Sequence, residues 1–333
     1  MRRSLLAVVV LGAAFESAAQ RPDSNPPCDR ACLEGFVDRY LEAMLENDPS
    51  PELFAIGARF TENGIQLPLG NEGLWYGMSG YGRYKFYVPD VETQQVAFIG
   101  TVRENLANAG MNDGQGNLVA IALRLKIVND KITEVEQLVI RPEVDLFGGG
   151  TASNRPFPPT GEAVDAMGAP HPIFLEEIPE SERMSRDELI VTANYYFDGL
   201  QRNDGKGYYP FTDDCERYEN GIKTTNVPRT DQETGETRVM GCKEQFEKAL
   251  RGVVSRIRDR RFVAVDRERG NVFAFGFFDH DRLNWTWQLA EIFKIEKGQI
   301  RRIEAVFHRA PYGINSGWST FEQGMSEAIQ VVR

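Results

Sequence analysis

The chain has 333 residues, 41% of them hydrophobic and 26% charged, with a formal net charge of −11. That composition excludes disorder over most of the length and supplies enough apolar surface for two domain cores. An acidic surface repels phosphate backbones, which argues against nucleic acid as a partner.

Met1-Arg2-Arg3-Ser4 followed by the apolar run Leu5–Phe15, with the small residues Ser17-Ala18-Ala19 before Gln20, reads as a secretory signal over 1–19. The run is well short of the roughly 20 residues that cross a bilayer, and no later segment is long and apolar enough, so no membrane partner is expected. The expected location is secreted or periplasmic. Four cysteines remain beyond the leader, an even count that favours disulfides in an exported chain. The spacing pairs Cys28 with Cys32 and Cys215 with Cys242. With no Cys-x-x-Cys and with His171, His280 and His308 scattered, no metal is expected.

An internal repeat organises the rest. Residues 33–47 have apolar positions at helical spacing (Phe36, Val37, Tyr40, Leu41, Met44) and lead through a short loop to Glu62-Asn63-Gly64-Ile65. In the second half Ser185 and Glu188 form a capping-box signature for a helix running to Asn203, and Glu219-Asn220-Gly221-Ile222 follows at nearly the same distance. Two long strands joined by a turn close each half, 118–127 with 131–141 and 285–296 with 299–309. Residues 73–87, rich in glycine and aromatics, stand where the second half has a helix over 243–254. The run Arg256, Arg258, Arg260, Arg261 reads as a solvated helix end. The boundaries expected are 28–143 for one module, 144–184 for a linker rich in proline and glycine, 185–311 for a second module, and 312–333 for a C-terminal tail.

Cys28-Asp29-Arg30-Ala31-Cys32-Leu33, Arg59-Phe60-Thr61-Glu62-Asn63-Gly64, Gly73-Leu74-Trp75 and Ala310-Pro311-Tyr312-Gly313-Ile314-Asn315-Ser316-Gly317-Trp318 together resemble an uncharacterised secreted family of bacteria and fungi. Its modules are similar to SnoaL-like members of the nuclear transport factor 2 (NTF2) superfamily. The resemblance implies an α+β fold of two tandem cone-shaped NTF2-like modules, each a curved antiparallel sheet packed on helices around an apolar pocket. Superfamily members include isomerases, dehydratases, cyclases and lyases as well as proteins without catalytic roles, so fold alone does not decide function.

Enzymes of that type resembling ketosteroid isomerase use a carboxylate or histidine in the cone, tuned by burial. Along the strand 285–296, Trp285, Trp287, Leu289, Glu291, Phe293 and Ile295 share one face, so Glu291 is a lone acid on an apolar stripe. The alternative is that Glu291 meets solvent or an arginine such as Arg309. Glu219 and Glu62 stand at equivalent repeat positions, where Asn-Gly equally supports a purely structural turn. His280 and His308, near strand ends, are further catalytic candidates. Tyr40, the pair Tyr195 and Tyr196, Trp75 and Trp287 are candidates for ligand contact, and Tyr76, Tyr81, Tyr84 and Tyr87 for a mouth, although aromatics also simply fill cores. The sequence lacks a Gly-x-Ser-x-Gly elbow, a phosphate-binding glycine loop and a His-Glu-x-x-His pair.

The function expected is a cofactor-independent lyase or isomerase acting by proton transfer on a small hydrophobic molecule, with a non-catalytic ligand-binding or interaction protein as its rival. The two modules are expected to pack as an intramolecular pseudo-dimer.

Overall fold

The computed structural model describes residues 27–142, 159–230, 235–248, 250, 252, 254–330 and 332; the expected signal segment lies outside them. The first half runs α1 (Arg30–Glu46), β1 (Phe54–Glu62), β2 (Ile65–Gln66), α2 (Leu74–Gly77), β3 (Met78–Asp90), β4 (Gln95–Glu104), β5 (Asn117–Val128) and β6 (Lys131–Ile140). After α3 (Thr160–Met167), the second half runs α4 (Arg186–Arg202), β7 (Phe211–Glu219), β8 (Ile222–Lys223), β9 (Pro228–Thr230), β10 (Thr237–Val239), α5 (Cys242–Lys248), β11 (Arg256–Asp266), β12 (Asn271–His280), β13 (Trp285–Glu296) and β14 (Gln299–Pro311). The short elements α6 (Phe321–Gly324) and β15 (Ile329–Gln330) end the chain.

The two halves share one topology. Strand order is β2-β1-β6-β5-β4-β3 in the first sheet, and β8-β7-β14-β13-β12-β11, extended by β15, in the second. The expected antiparallel sheets are in fact mixed, because β1 pairs with β6, and β7 with β14, in parallel. Hairpins join the later strands and force antiparallel pairing, whereas β1 and β7 arrive from a helix and are free of that constraint.

Local chemistry sets the helices and turns. Asp29 caps α1 by accepting from the Cys32 amide at 2.9 Å, and Ser185 and Glu188 complete the capping box of α4. Both long helices stop at an asparagine in the left-handed region, Asn47 and Asn203. The repeated Asn-Gly turns are structural in both halves: Asn63 and Asn220 have φ of 50°, followed by Gly64 and Gly221 at 81° and 79°. Each asparagine amide also continues a strand ladder. Asn63 accepts from Val139 N and donates to its carbonyl, and Asn220 does the same with Phe307.

One face of each sheet wraps its own helix, giving separate cores around Phe36, Tyr40 and Leu123 and around Tyr196, Phe197 and Phe293. The opposite faces pack on each other through a third cluster that joins Phe86, Ile99 and Leu138 to Val263, Phe273 and Ile292. Strands buried on both faces need no polar alternation, which is why Val272–Phe278 is an uninterrupted apolar run. The contact is reciprocal. Arg30, the first residue of α1, makes two hydrogen bonds to Asp266 at the end of β11, while Arg186, the first residue of α4, pairs with Asp90 at the end of β3. Equivalent helix starts and strand ends of the two halves thus pair with each other.

Several expectations fail here for physical reasons. Arg258, Arg260 and Arg261 do not sit on a solvated helix end; they are buried in β11. Each is answered by a distant partner: Arg258 by Asp279, Arg260 by Asp198, and Arg261 by Glu136 of the other sheet through two bonds of 2.7 Å. Within the expected linker, 160–167 form α3, where Asp165 accepts from Arg83 N at 2.6 Å and from Thr101 Oγ1 at 2.7 Å. Tyr81, Tyr84 and Tyr87, candidates for a mouth, belong to the strand β3. The helix expected over 243–254 ends at Lys248. The tail is tied to the first half, with Trp318 donating to Thr61 Oγ1 at 2.7 Å and stacked against the Arg59 and Arg124 guanidiniums.

Both disulfides form as expected, Cys28–Cys32 and Cys215–Cys242. They fit an oxidising extracellular or periplasmic compartment. Among the described residues no helix is long and apolar enough to cross a membrane, and no cluster of ligands suited to a metal ion is present.

Candidate functional site: an acid at the base of the second-half cavity

The concave face of the second sheet encloses a cavity of about 280 Å³. Its apolar wall includes Phe278, Trp287, Leu289 and Phe307, its polar wall Tyr196, Arg217, Glu219, Gln245 and Glu291, and Arg229 and Met240 also line it. Alternation on β13 puts Trp287, Leu289 and Glu291 on the cavity face, and alternation on β7 does the same for Arg217 and Glu219.

Glu291 is 1% exposed, and its Oε2 has no hydrogen-bond partner among the described residues. Loss of hydration pushes its pKa well above the usual carboxylate range, and the negative charge of Glu219 adds to the rise. Arg217 and a hydrogen bond donated by the Tyr196 phenol oppose it without cancelling it. Burial thus favours the protonated form of the side chain, which has a hydroxyl to donate. Tyr196 is itself held neutral by burial beside Glu291.

Arg217 organises the polar wall. Its Nε lies 3.0 Å from Glu219 Oε1 and 3.1 Å from Thr224 Oγ1, and its Nη2 donates to Gln245 Oε1 at 2.6 Å. Gln245 in turn donates to the Thr224 carbonyl at 2.7 Å. The Cys215–Cys242 bridge ties the start of α5, and hence Gln245, to β7. The site thus holds a buried acid of raised pKa and an ion-paired carboxylate on one polar wall.

The same positions in the first half are filled. Strand register places Leu123 where the second half has Glu291, and Gln137 where it has Ala305. Tyr40 corresponds to Tyr196, Phe60 to Arg217 and Glu62 to Glu219. Trp75, from α2, packs edge-on to Tyr40 and Phe54 and donates to Tyr40 Oη at 3.0 Å; Tyr40 donates to Gln137 at 2.9 Å. Glu62 is consumed by the Leu74 amide, Gln137 and Arg141. The three first-half candidates, Tyr40, Glu62 and Trp75, are thus core residues bonded to protein.

Of the second-half candidates, Glu291, Glu219 and Trp287 line the cavity. His280 stands beside it, stacked on Trp285 and in contact with Trp287. His308 is on the opposite face of β14, where it meets Gln288 Oε1 at 3.2 Å; burial and the positive charge of Arg141 lower its pKa to about 4. Tyr195 points away from the cavity and packs on Tyr208, and it is its neighbour Tyr196 that lines the wall. Arg309 does not meet Glu291; it lies over the Trp285 ring. Sequence reasoning missed Arg217, Gln245 and Arg229. Arg217 was within reach of it, being two residues before Glu219 on one strand.

Residues 182–307 match a family model described as Domain of unknown function (DUF8021). No curated protein matches the chain. Among solved structures, it is similar to a de novo designed protein with a curved β-sheet (17% identity, TM-score 0.25, 38% of this chain and 88% of that one). A second is an LEH-like epoxide hydrolase of M. tuberculosis (16%, TM-score 0.25, 37% and 84%). A third is an NTF-2-like protein of unknown function from Burkholderia xenovorans LB400 (13%, TM-score 0.26, 40% and 94%).

Proposed function

We propose that each half is an NTF2-like module and that the second is a cofactor-independent lyase or isomerase acting by proton transfer on a small, largely apolar molecule. The observation carrying this reading is the buried Glu291 carboxyl, its Oε2 without a hydrogen-bond partner among the described residues, in a cavity that sets Trp287, Leu289 and Phe307 opposite a polar wall. A carboxylic acid kept protonated at neutral pH is expensive to bury, and it suits donation to an oxygen on which negative charge develops.

In this scheme a substrate carbonyl accepts from Glu291 while Glu219, a carboxylate held by Arg217, removes a proton from the adjacent carbon. Glu291 passes its proton to the oxygen, giving a neutral enol. The enol takes the proton back from Glu219 at another carbon and returns its hydroxyl proton to Glu291, so both side chains end as they began. The Trp287 and Phe307 faces hold the apolar body and exclude water. The leader-like first residues and the two disulfides support export of the chain before it acts.

A direct test is α-proton exchange of 2-tetralone in D₂O, followed by ¹H NMR. Acceleration by the wild-type protein that disappears in Glu291→Gln supports the reading. No acceleration, or an unaffected variant, refutes it.

A further inference from the structure

Arg229 lies at the rim of this cavity on β9, exposed, and among the described residues no carboxylate lies within ion-pair distance of it. Its position is unusual, because the β9–β10 register sets Arg229 directly across from Arg238. Like charges facing each other across a two-stranded ladder are destabilising. Arg238 is answered by Glu236, and Glu219 of the cavity is already engaged by Arg217. In a chain with a net charge of −11, an exposed guanidinium that has no ion-pair partner among the described residues, at the rim of a cavity with an aromatic and aliphatic wall, is suited to receive an anion.

Resting on the function proposed above, we infer that the substrate is an amphipathic monocarboxylate: an apolar body with a carboxylate held at the mouth by Arg229 and an oxygen at the other end held by Glu291. The two polar contacts fix the molecule end to end, and the aromatic wall fixes it between them. A singly charged group is favoured over a phosphate, because Arg229 faces a site that already contains the negative charge of Glu219. Arg229 is then a specificity residue outside the proton-transfer step, which explains why it sits on the short hairpin and not on the main sheet.

The experiment compares two rigid probes that share one hydroxynaphthalene body and differ by a carboxylate, 2-naphthol and 6-hydroxy-2-naphthoate, by quenching of tryptophan fluorescence on the full chain. Naphthoate is expected to bind about ten-fold tighter than naphthol, the margin of one charge-assisted hydrogen-bonded contact at a solvated rim. In Arg229→Gln that ratio falls to about one through loss of naphthoate affinity, while added salt narrows it in the wild type. Equal binding of the two probes by the wild type, or a preference that survives in Arg229→Gln, overturns the carboxylate assignment and leaves the proton-transfer reading standing. Binding of neither probe overturns both.

Discussion

Replacing Glu304 by glutamine should change how stability depends on pH, by an amount the structure sets. Glu304 lies on the outer face of β14, at the junction of the halves, where the Tyr84 hydroxyl of β3 donates to its carboxyl. Burial raises its pKa from 4.5 to about 7, against the opposing effects of Tyr84 and Arg302. Between those values the folded protein holds a proton that the unfolded chain releases, so stability is fullest below about pH 4.5 and falls as pH rises toward 7. At about 1.36 kcal/mol per decade of proton affinity, the loss is roughly 3 kcal/mol by pH 8. Glutamine cannot ionise and avoids it. Urea unfolding of both proteins at pH 4.5, 5.5, 6.5 and 8 gives the difference directly, since groups common to the two largely cancel. The difference should move by about 3 kcal/mol in favour of the variant as pH rises. A flat difference would show that Glu304 ionises freely in the folded state.

Glu291→Gln should abolish 2-tetralone exchange yet unfold at higher urea than the wild type at neutral pH, because it removes the cost of holding in the folded state a proton that the unfolded chain releases; a destabilised variant would contradict the burial argument. His308 carries the opposite sign. Its pKa of about 4 lies below the ordinary 6.5, so its contribution is present above pH 6.5 and is lost as pH falls toward 4, by roughly 3 kcal/mol, a loss His308→Gln should lack in acid urea melts. Removing the Cys215–Cys242 bridge as a double serine variant should cost about 2 to 5 kcal/mol in urea unfolding. It should also weaken 2-naphthol binding, because α5 then no longer fixes Gln245 against Arg217.

Much of this protein is written locally. The capping box at Ser185, the helix faces of α1 and α4 and the Asn-Gly turns depend on residues a few positions apart, and they read correctly from the chain. Glu291 was legible for the same reason: period-two alternation on β13 isolates it on an apolar face. Cysteine count and spacing gave both bridges.

What the chain could not show depends on partners far away in sequence. Arg261 looks solvated until Glu136, from the other sheet, is brought to it, and Trp318 looks like tail until Thr61 and Arg59 meet it. The choice between the two cavities is also tertiary. Both halves carry the helix tyrosine and the Glu-Asn-Gly turn, but strand register alone reveals Leu123 and Phe60 where the second half has Glu291 and Arg217, and only packing shows Trp75 filling the first cavity. Local pattern is enough to write the scaffold twice, because backbone geometry and solvent dictate it residue by residue. Which copy keeps an open acid is decided by side chains that meet only after the sheets have formed.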